Sequence, residues 1–296
     1  MRRQLQRKFC TGGPERSSRR KALSAIIVGC MAGSLGSIVG MGGAFITIPI
    51  LVHPMFGLSQ RVAQGTSMAS VLATATGGAI GYMSSSSSSS INASRSDFIG
   101  NISIPTTILV SLASMVTAIL GAKFSTKISS RQLKISLAVF MLSVAPSPLL
   151  REYLANMTTQ TKPMSTNWMN ELWKSLSIGT CSGFLAGLYG VGGGAVVVPA
   201  LCLFTDLTYK ESIGTSLAIM LPTAIAGSLQ HYRQGTMVRN VAFPLGMGCF
   251  IGSLVGGSLV THGIDKTNEK KLKYCFTVVM AGLGLKTLRD GLRYIK

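Results

Sequence analysis

The fold class that the sequence predicts is all-α: a polytopic transmembrane protein of about eight hydrophobic segments, in two tandem repeats whose first helices are broken by glycine. Three observations predict it. Of 296 residues, 47% are hydrophobic and only 12% charged, against roughly a quarter charged in soluble domains. The charges fall at joints, leaving residues 22–60, 62–94, 98–122, 135–150, 175–205, 212–232, 240–264 and 274–285 without Asp, Glu, Lys or Arg. Finally, a block rich in glycine and ending in proline occurs twice. About 20 apolar residues span a bilayer core, and unpaired charge there costs several kcal/mol, so runs of this kind read as membrane helices.

Along the chain, residues 1–21 come first. They hold Arg2, Arg3, Arg7, Lys8, Arg16, Arg19, Arg20 and Lys21 against the single acid Glu15. Two readings stand: a basic flank that retains the N-terminus inside, or an Arg/Ser-rich transit segment. The first half, residues 22–150, contains hydrophobic units at about 22–53, 62–83, 98–122 and 133–150. The serine tract at 84–90 is a loop insertion. Residues 151–173 are polar, include Lys162-Pro163, and form the linker. The second half, 174–296, repeats the pattern with units at about 174–205, 211–231, 240–262 and 272–290.

The repeat itself is explicit. Gly29, Gly33, Leu35, Gly40, Gly42, Gly43 and Pro49 recur as Gly179, Gly183, Leu185, Gly190, Gly192, Gly193 and Pro199, a constant offset of 150. After a one-residue gap, Gly65-Thr66-Ser67 recurs as Gly214-Thr215-Ser216 at an offset of 149. The series Gly29–Gly33–Gly36 and Gly179–Gly183–Gly187 have the spacing that lets helices approach closely. With eight simple crossings, the basic joints near 123–134 and 266–273 lie opposite the basic termini, which conflicts with the positive-inside rule. Re-entrant first units, or removal of the N-terminal flank, would ease the conflict.

The clusters Gly40-Met-Gly42-Gly43 and Gly190-Val-Gly192-Gly193-Gly194 are dense enough to break a helix, since each interior glycine costs about 1 kcal/mol relative to alanine. A break at membrane depth survives only where it lines a cavity or is covered by protein. The helix that restarts presents free N–H groups and a positive dipole end, which favours an anion. Matching breaks in two halves point to a transporter binding site. Thr66, Ser67, Thr215 and Ser216 add uncharged hydroxyls, either as ligands for an oxyanion or as caps and back-bonding groups. His53, His231 and His262 fall at helix ends. With Tyr232 and Arg233, His231 reads as an interfacial anchor.

Composition also excludes. No Asp or Glu falls within an uncharged segment, so there is no carboxylate relay of the pumping type and no carboxylate cage for a metal cation. No Walker motif is present. Cys10, Cys30, Cys181, Cys202, Cys249 and Cys275 are scattered and form neither a zinc site nor a disulfide framework. The net charge of +19 sits in termini and joints, which reads as head-group contact and topology rather than nucleic-acid binding. An intramembrane serine protease built on Ser34 would need a histidine on a later helix, and the histidines lie at helix ends.

The doubled pattern G-x-G-G-x(5)-P, Gly40 to Pro49 and Gly190 to Pro199, followed in each half by Gly-Thr-Ser, resembles the sulfite exporter TauE/SafE family. The resemblance runs from about residue 22 to residue 293. It implies a multi-pass permease of roughly eight helices that moves sulfite, sulfonates or related sulfur-containing or organic anions. Ala44 stands where a third consecutive glycine occurs in the second half, and the serine tract and basic N-terminus look like additions. The expectation is thus an integral membrane transporter of a small anion, working by alternating access at Gly40, Gly42, Gly43, Gly190, Gly192, Gly193 and Gly194. Its expected partners are the anion and membrane lipid, with a homo-oligomer open, and no cofactor, metal or nucleic acid. An anion channel with the same lining is the alternative.

Overall fold

The computed structural model describes residues 15–84, 98–99, 102–146, 168–205, 207, 209–262 and 266–293. The basic flank up to residue 14, nearly all of the serine tract and most of the linker lie outside the described residues. Ten helices are present among those described: α1 (Glu15–Val39), α2 (Ala44–Val52), α3 (Gln60–Met83), α4 (Ile104–Ser125), α5 (Ser130–Val144), α6 (Trp168–Tyr189), α7 (Gly194–Phe204), α8 (Tyr209–Arg233), α9 (Arg239–His262) and α10 (Lys266–Arg293). The two extra helices arise because each glycine cluster divides its first unit into a long and a short helix. Phe98–Ile99 (β1) pairs antiparallel with Ile102–Ser103 (β2), so the third unit starts as a small ribbon before Pro105 opens α4. α6 begins inside the segment read as the linker. α5 is opened by a capping box, in which Ser129 Oγ accepts from Gln132 N at 3.2 Å and Gln132 Oε1 accepts from Ser129 N at 3.3 Å.

Among the described residues, four helices are long and apolar enough to cross a membrane, over Ala22–Val39, Ile104–Ser125, Lys210–Arg233 and Arg239–Val260. Their outer faces carry large apolar side chains that water would penalise, with Phe243 73% exposed and Met31 60%; a bilayer turns that exposure into a favourable contact. α3 is different. It is long but rich in Ser, Thr and Gln, and it is buried along most of its length because it lies between other helices.

Small residues set the packing. Gly29 and Gly33 of α1 lie against Leu245 and Cys249 of α9, and Gly248, Gly252 and Gly256 return the contact onto Ile26, Cys30 and Ser34. The pairs advance in the same sense, so α1 and α9 run parallel. Gly179, Gly183 and Gly187 of α6 meet Val110, Ser114 and Ala118 of α4 in the same parallel manner. The helix of the third unit in each half, α4 or α9, therefore packs on the first helix of the other half. α9 also runs parallel to α3, with Gly77 and Gly81 against Ser253 and Gly257. α4 runs parallel to α8, as Ser103 pairs with Thr215 and Ser114 Oγ with Thr223 Oγ1 at 2.6 Å.

Two three-helix bodies result, α1–α9–α3 and α6–α4–α8, each drawn from both halves. They meet mainly where α3 crosses α8, and there the order reverses: Gly78 lies beside Leu217 and Gly227 beside Met68. The repeats are thus inverted with respect to each other. α1 rises from one face of the molecule, here the base, α2 returns toward it, and α3 rises again. α4 descends to the base, where the joint at 126–129 turns into α5. α10 runs antiparallel to α5, with Gly284 beside Leu142 and Gly291 beside Ile135, and so ends at the base. The re-entrant first unit puts the basic joint near 123–134 on the same face as both ends of the described chain and removes half of the charge conflict. The basic stretch at the start of α10 remains on the opposite face.

Candidate functional site

Each glycine break is the tip of a buried hairpin. Gly40, Gly42 and Gly43 have φ of +75°, +78° and +66°, and Gly190, Gly192 and Gly193 have φ of +70°, +82° and +80°. Only glycine holds this left-handed region without strain, which explains why G-x-G-G is spelled identically in both halves. Gly194 belongs to the cluster for another reason. It is the first residue of α7, and a Cβ there would overlap the Gly40 carbonyl oxygen of the opposite tip. All of these residues are buried.

The two tips meet at the crossing of α3 and α8. A Cβ on Gly192 would overlap both Val71 of α3 and Met220 of α8, and one on Gly42 would overlap Met220 and touch Val71; these two side chains occupy equivalent places in the repeat and fill the space between the tips. Ser67 Oγ donates to the Gly190 carbonyl at 3.0 Å, and Ser216 Oγ donates to the Gly40 carbonyl at 3.1 Å. Each half thereby holds the other half's tip. Thr66 Oγ1 donates to Val62 O at 2.7 Å and accepts from Val238 N at 3.2 Å. Thr215 Oγ1 accepts from Ser103 N at 3.0 Å. Val238 and Ser103 are the residues immediately before α9 and α4, so these threonines anchor the starts of those two helices across the halves. The glycine tips meet at the crossing, whereas the hydroxyl pairs Thr66-Ser67 and Thr215-Ser216 stand on either side of it, each serine on the opposite tip and each threonine at the start of α9 or α4. In this conformation the four hydroxyls are engaged with backbone, each bond contributing about 1 kcal/mol net.

Beyond the tips, α2 and α7 begin. The N–H groups of Ala44 and Phe45, and of Gly194 and Ala195, have no backbone acceptor among the described residues, where bonding starts with Ile46 N and Val196 N to the Gly43 and Gly193 carbonyls at 3.1 and 3.0 Å. Two short helices thus aim their N-terminal donors and positive dipole ends into the buried middle of the protein. Among the described residues no group of three or more His, Cys, Asp or Glu gathers as a metal site.

Several residues differ from their sequence reading or escaped it. His231 is 1% exposed, with Nε2 3.3 Å from the Gly187 carbonyl and Nδ1 3.1 Å from Thr236 Oγ1; it ties α8 to α6 from inside rather than anchoring at the interface. Its neighbour Tyr232 does sit at the surface, under the Arg239 guanidinium at 4.8 Å. Ser34 Oγ donates to Met31 O at 3.1 Å within its own helix. Glu211 lies buried in the first turn of α8, a carboxylate that the uncharged stretch beginning at 212 passes over. Gln60 and Gln64 are also buried, at 4% and 0% exposure, and neither amide has a partner. Leaving such a group unpaired costs about 1–3 kcal/mol. Their signal in the sequence was an i, i+4, i+7 polar stripe, Gln60–Gln64–Ser67, on an otherwise apolar helix.

A family model described as sulfite exporter TauE/SafE matches residues 25–287. The probable membrane transporter protein YunE of Bacillus subtilis is 22% identical over 283 residues, covering 90% of this chain and 97% of its own length. A probable membrane transporter protein of Methanocaldococcus jannaschii is 25% identical over 270 residues, covering 88% and 92%. A shorter match, to a probable membrane transporter protein of Haemophilus influenzae, is 32% identical over 117 residues, 36% of this chain and 42% of that one. No solved structure matches significantly. With the family match spanning both inverted repeats and their glycine tips, the chain belongs to the sulfite exporter TauE/SafE family and is an integral, multi-pass membrane transporter.

Proposed function

We propose that the protein carries a small oxyanion, such as sulfite, a sulfonate or a related sulfur-containing or organic anion, by alternating access about the two glycine tips. The observation that carries this reading is the meeting of two helix N-termini, with open N–H donors, at the centre of an inverted repeat. Opposed half-helices of this kind suit a negatively charged group, and the family and relative names agree with transport. The moving bodies in this reading are α1–α9–α3 and α6–α4–α8, each mixing the two halves. Separation at the α3–α8 crossing withdraws Val71 and Met220 from between the tips, releases the Ser67 and Ser216 clasps, and makes room for the anion.

The test is uptake of radiolabelled sulfite into proteoliposomes containing the purified protein, competed with sulfate, thiosulfate and a sulfonate. Saturable uptake suppressed by one competitor is expected. Replacing Gly192 and Gly193 with leucine is expected to abolish it while membrane insertion persists. Undiminished flux in that variant overturns the site, and unitary currents in place of saturable flux overturn alternating access.

A further inference from the structure

A cavity of about 490 Å³ opens near the base, where α2 ends and α3 begins; His53, Gln60, Lys134, Lys286, Thr287 and Asp290 are among the residues that line it. It is separate from the eleven residues of the candidate site. Lys134 of α5 and Lys286 of α10 line it against one carboxylate, Asp290, a turn beyond Lys286 on α10, so the balance of charge favours an anion. Its inner wall carries Gln60, a buried amide with no partner for either Nε2 or Oε1. Unsatisfied buried side-chain groups are few in native proteins, and each calls for an explanation.

One turn further along α3, Gln64 repeats the feature. It is completely buried, its amide is unpartnered, and its backbone lies against Gly190 of the opposite tip. A further turn on, Ser67 bonds the Gly190 carbonyl. One face of α3 therefore leads from the cavity to the glycine tips through two amides with open donors. The inverted half does not repeat the two amides: the repeat equivalents of Gln60 and Gln64 are Tyr209 and Ile213, and Ile213 packs apolar against Gly40. The duplication is symmetric at the tips and asymmetric on the way to them.

We propose that this cavity is an anion vestibule, in which Lys134 and Lys286 collect a small oxyanion and the amides of Gln60 and Gln64 bind it and pass it toward the Gly190 tip. The inference rests on the transporter reading and adds a second binding site on one side only. An amide Nε2 donates to an oxyanion oxygen, and Oε1 accepts from a protonated oxyanion or from the water that accompanies it.

Equilibrium binding of sodium sulfite and sodium sulfate to the purified full chain in detergent tests the vestibule directly. Wild type is expected to bind at least one of them saturably. Gln60→Leu with Gln64→Leu is expected to weaken that binding about tenfold or more, the scale of a lost hydrogen bond to a charged group. Lys134→Gln with Lys286→Gln lies at the cavity rim, keeps the proposal testable if the buried pair fails to fold, and is expected to weaken binding and flatten its salt dependence. No saturable binding in wild type, or binding within twofold of wild type in both variants, refutes the vestibule. Wild-type flux in proteoliposomes is scored separately. Flux without an effect of either variant removes the vestibule and spares the transporter, whereas binding that the variants weaken, without flux of any tested anion, does the reverse.

Discussion

Adding a single methyl group to chosen glycines measures how tightly the two tips are held. Three alanine variants separate the contributions. Gly57 has φ of +63° but is exposed, and the nearest atom to an added Cβ is Pro54 O at 3.9 Å. Gly57→Ala therefore reports only the left-handed backbone, about 1–2 kcal/mol. Gly194 has ordinary helical φ, and its Cβ would overlap the Gly40 carbonyl and approach Met220 Sδ at 2.7 Å. Gly194→Ala thus reports only overpacking between the tips, about 1–3 kcal/mol. Gly192 combines both, with φ of +82° and a Cβ driven into Val71 and Met220, the latter at 2.6 Å; the sum is about 2–5 kcal/mol. Reversible unfolding of the purified protein in mixed micelles, followed by tryptophan emission or by circular dichroism, gives the three differences. The predicted order is Gly192→Ala above Gly194→Ala, with Gly57→Ala at the low end. A Gly192→Ala cost no larger than that of Gly57→Ala would refute the close meeting of the tips, since methyl groups would then fit between them.

Ser67→Ala and Ser216→Ala are each expected to cost about 1 kcal/mol or somewhat more, because a buried carbonyl loses its donor, and the similarity of the two losses in the same unfolding assay checks their equivalence. Thr66→Val and Thr215→Val leave the N–H groups of Val238 and Ser103 unpaired and are expected to cost about 1–3 kcal/mol each; equal stability to wild type would show that these bonds are replaced. Gly187→Ala presses a methyl on the Ala118 carbonyl and is expected to destabilise by about 1–3 kcal/mol with α4 and α6 forced apart, a change that cross-linking of cysteines placed on those helices would read. A cysteine at Lys127 is expected to react with an impermeant maleimide from the same side as tags on both termini. Labelling from the opposite side would restore eight simple crossings.

Much of this arrangement is legible in the sequence where it depends on chain stereochemistry. The left-handed turns demand glycine, so the tips are visible as G-x-G-G in both halves, and the small-residue series on α1 and α6 announce close helix contacts. Direction is not legible. Whether Ala44–Val52 continues or returns depends on the backbone of four residues and on what packs beyond them, and hydropathy is blind to both. The same applies to the exchange of α4 and α9 between the halves, which places Val238 against Thr66 through tertiary contact alone. Gln60, Gln64 and Glu211 escaped because segments were delimited by what they lack in charge. A buried amide carries none, and a carboxylate one residue outside the boundary counts as a joint. His231 was misplaced by its neighbours: Tyr232 and Arg239 do meet at the surface, while the imidazole one position earlier turns inward to Gly187.

The exchange of α4 and α9 between the halves has a consequence for biosynthesis. Within residues 22–150 α1 touches α2 and α3, but its principal mate, α9, begins only at Arg239. During synthesis the first five helices must wait, inserted but incompletely packed, until nearly the whole chain has left the ribosome. An ancestral half-length chain would have faced the same vacancy permanently. It could fill it only by pairing with a second copy inserted upside down, so that duplication and fusion converted a concentration-dependent encounter of opposite orientations into a single linked molecule.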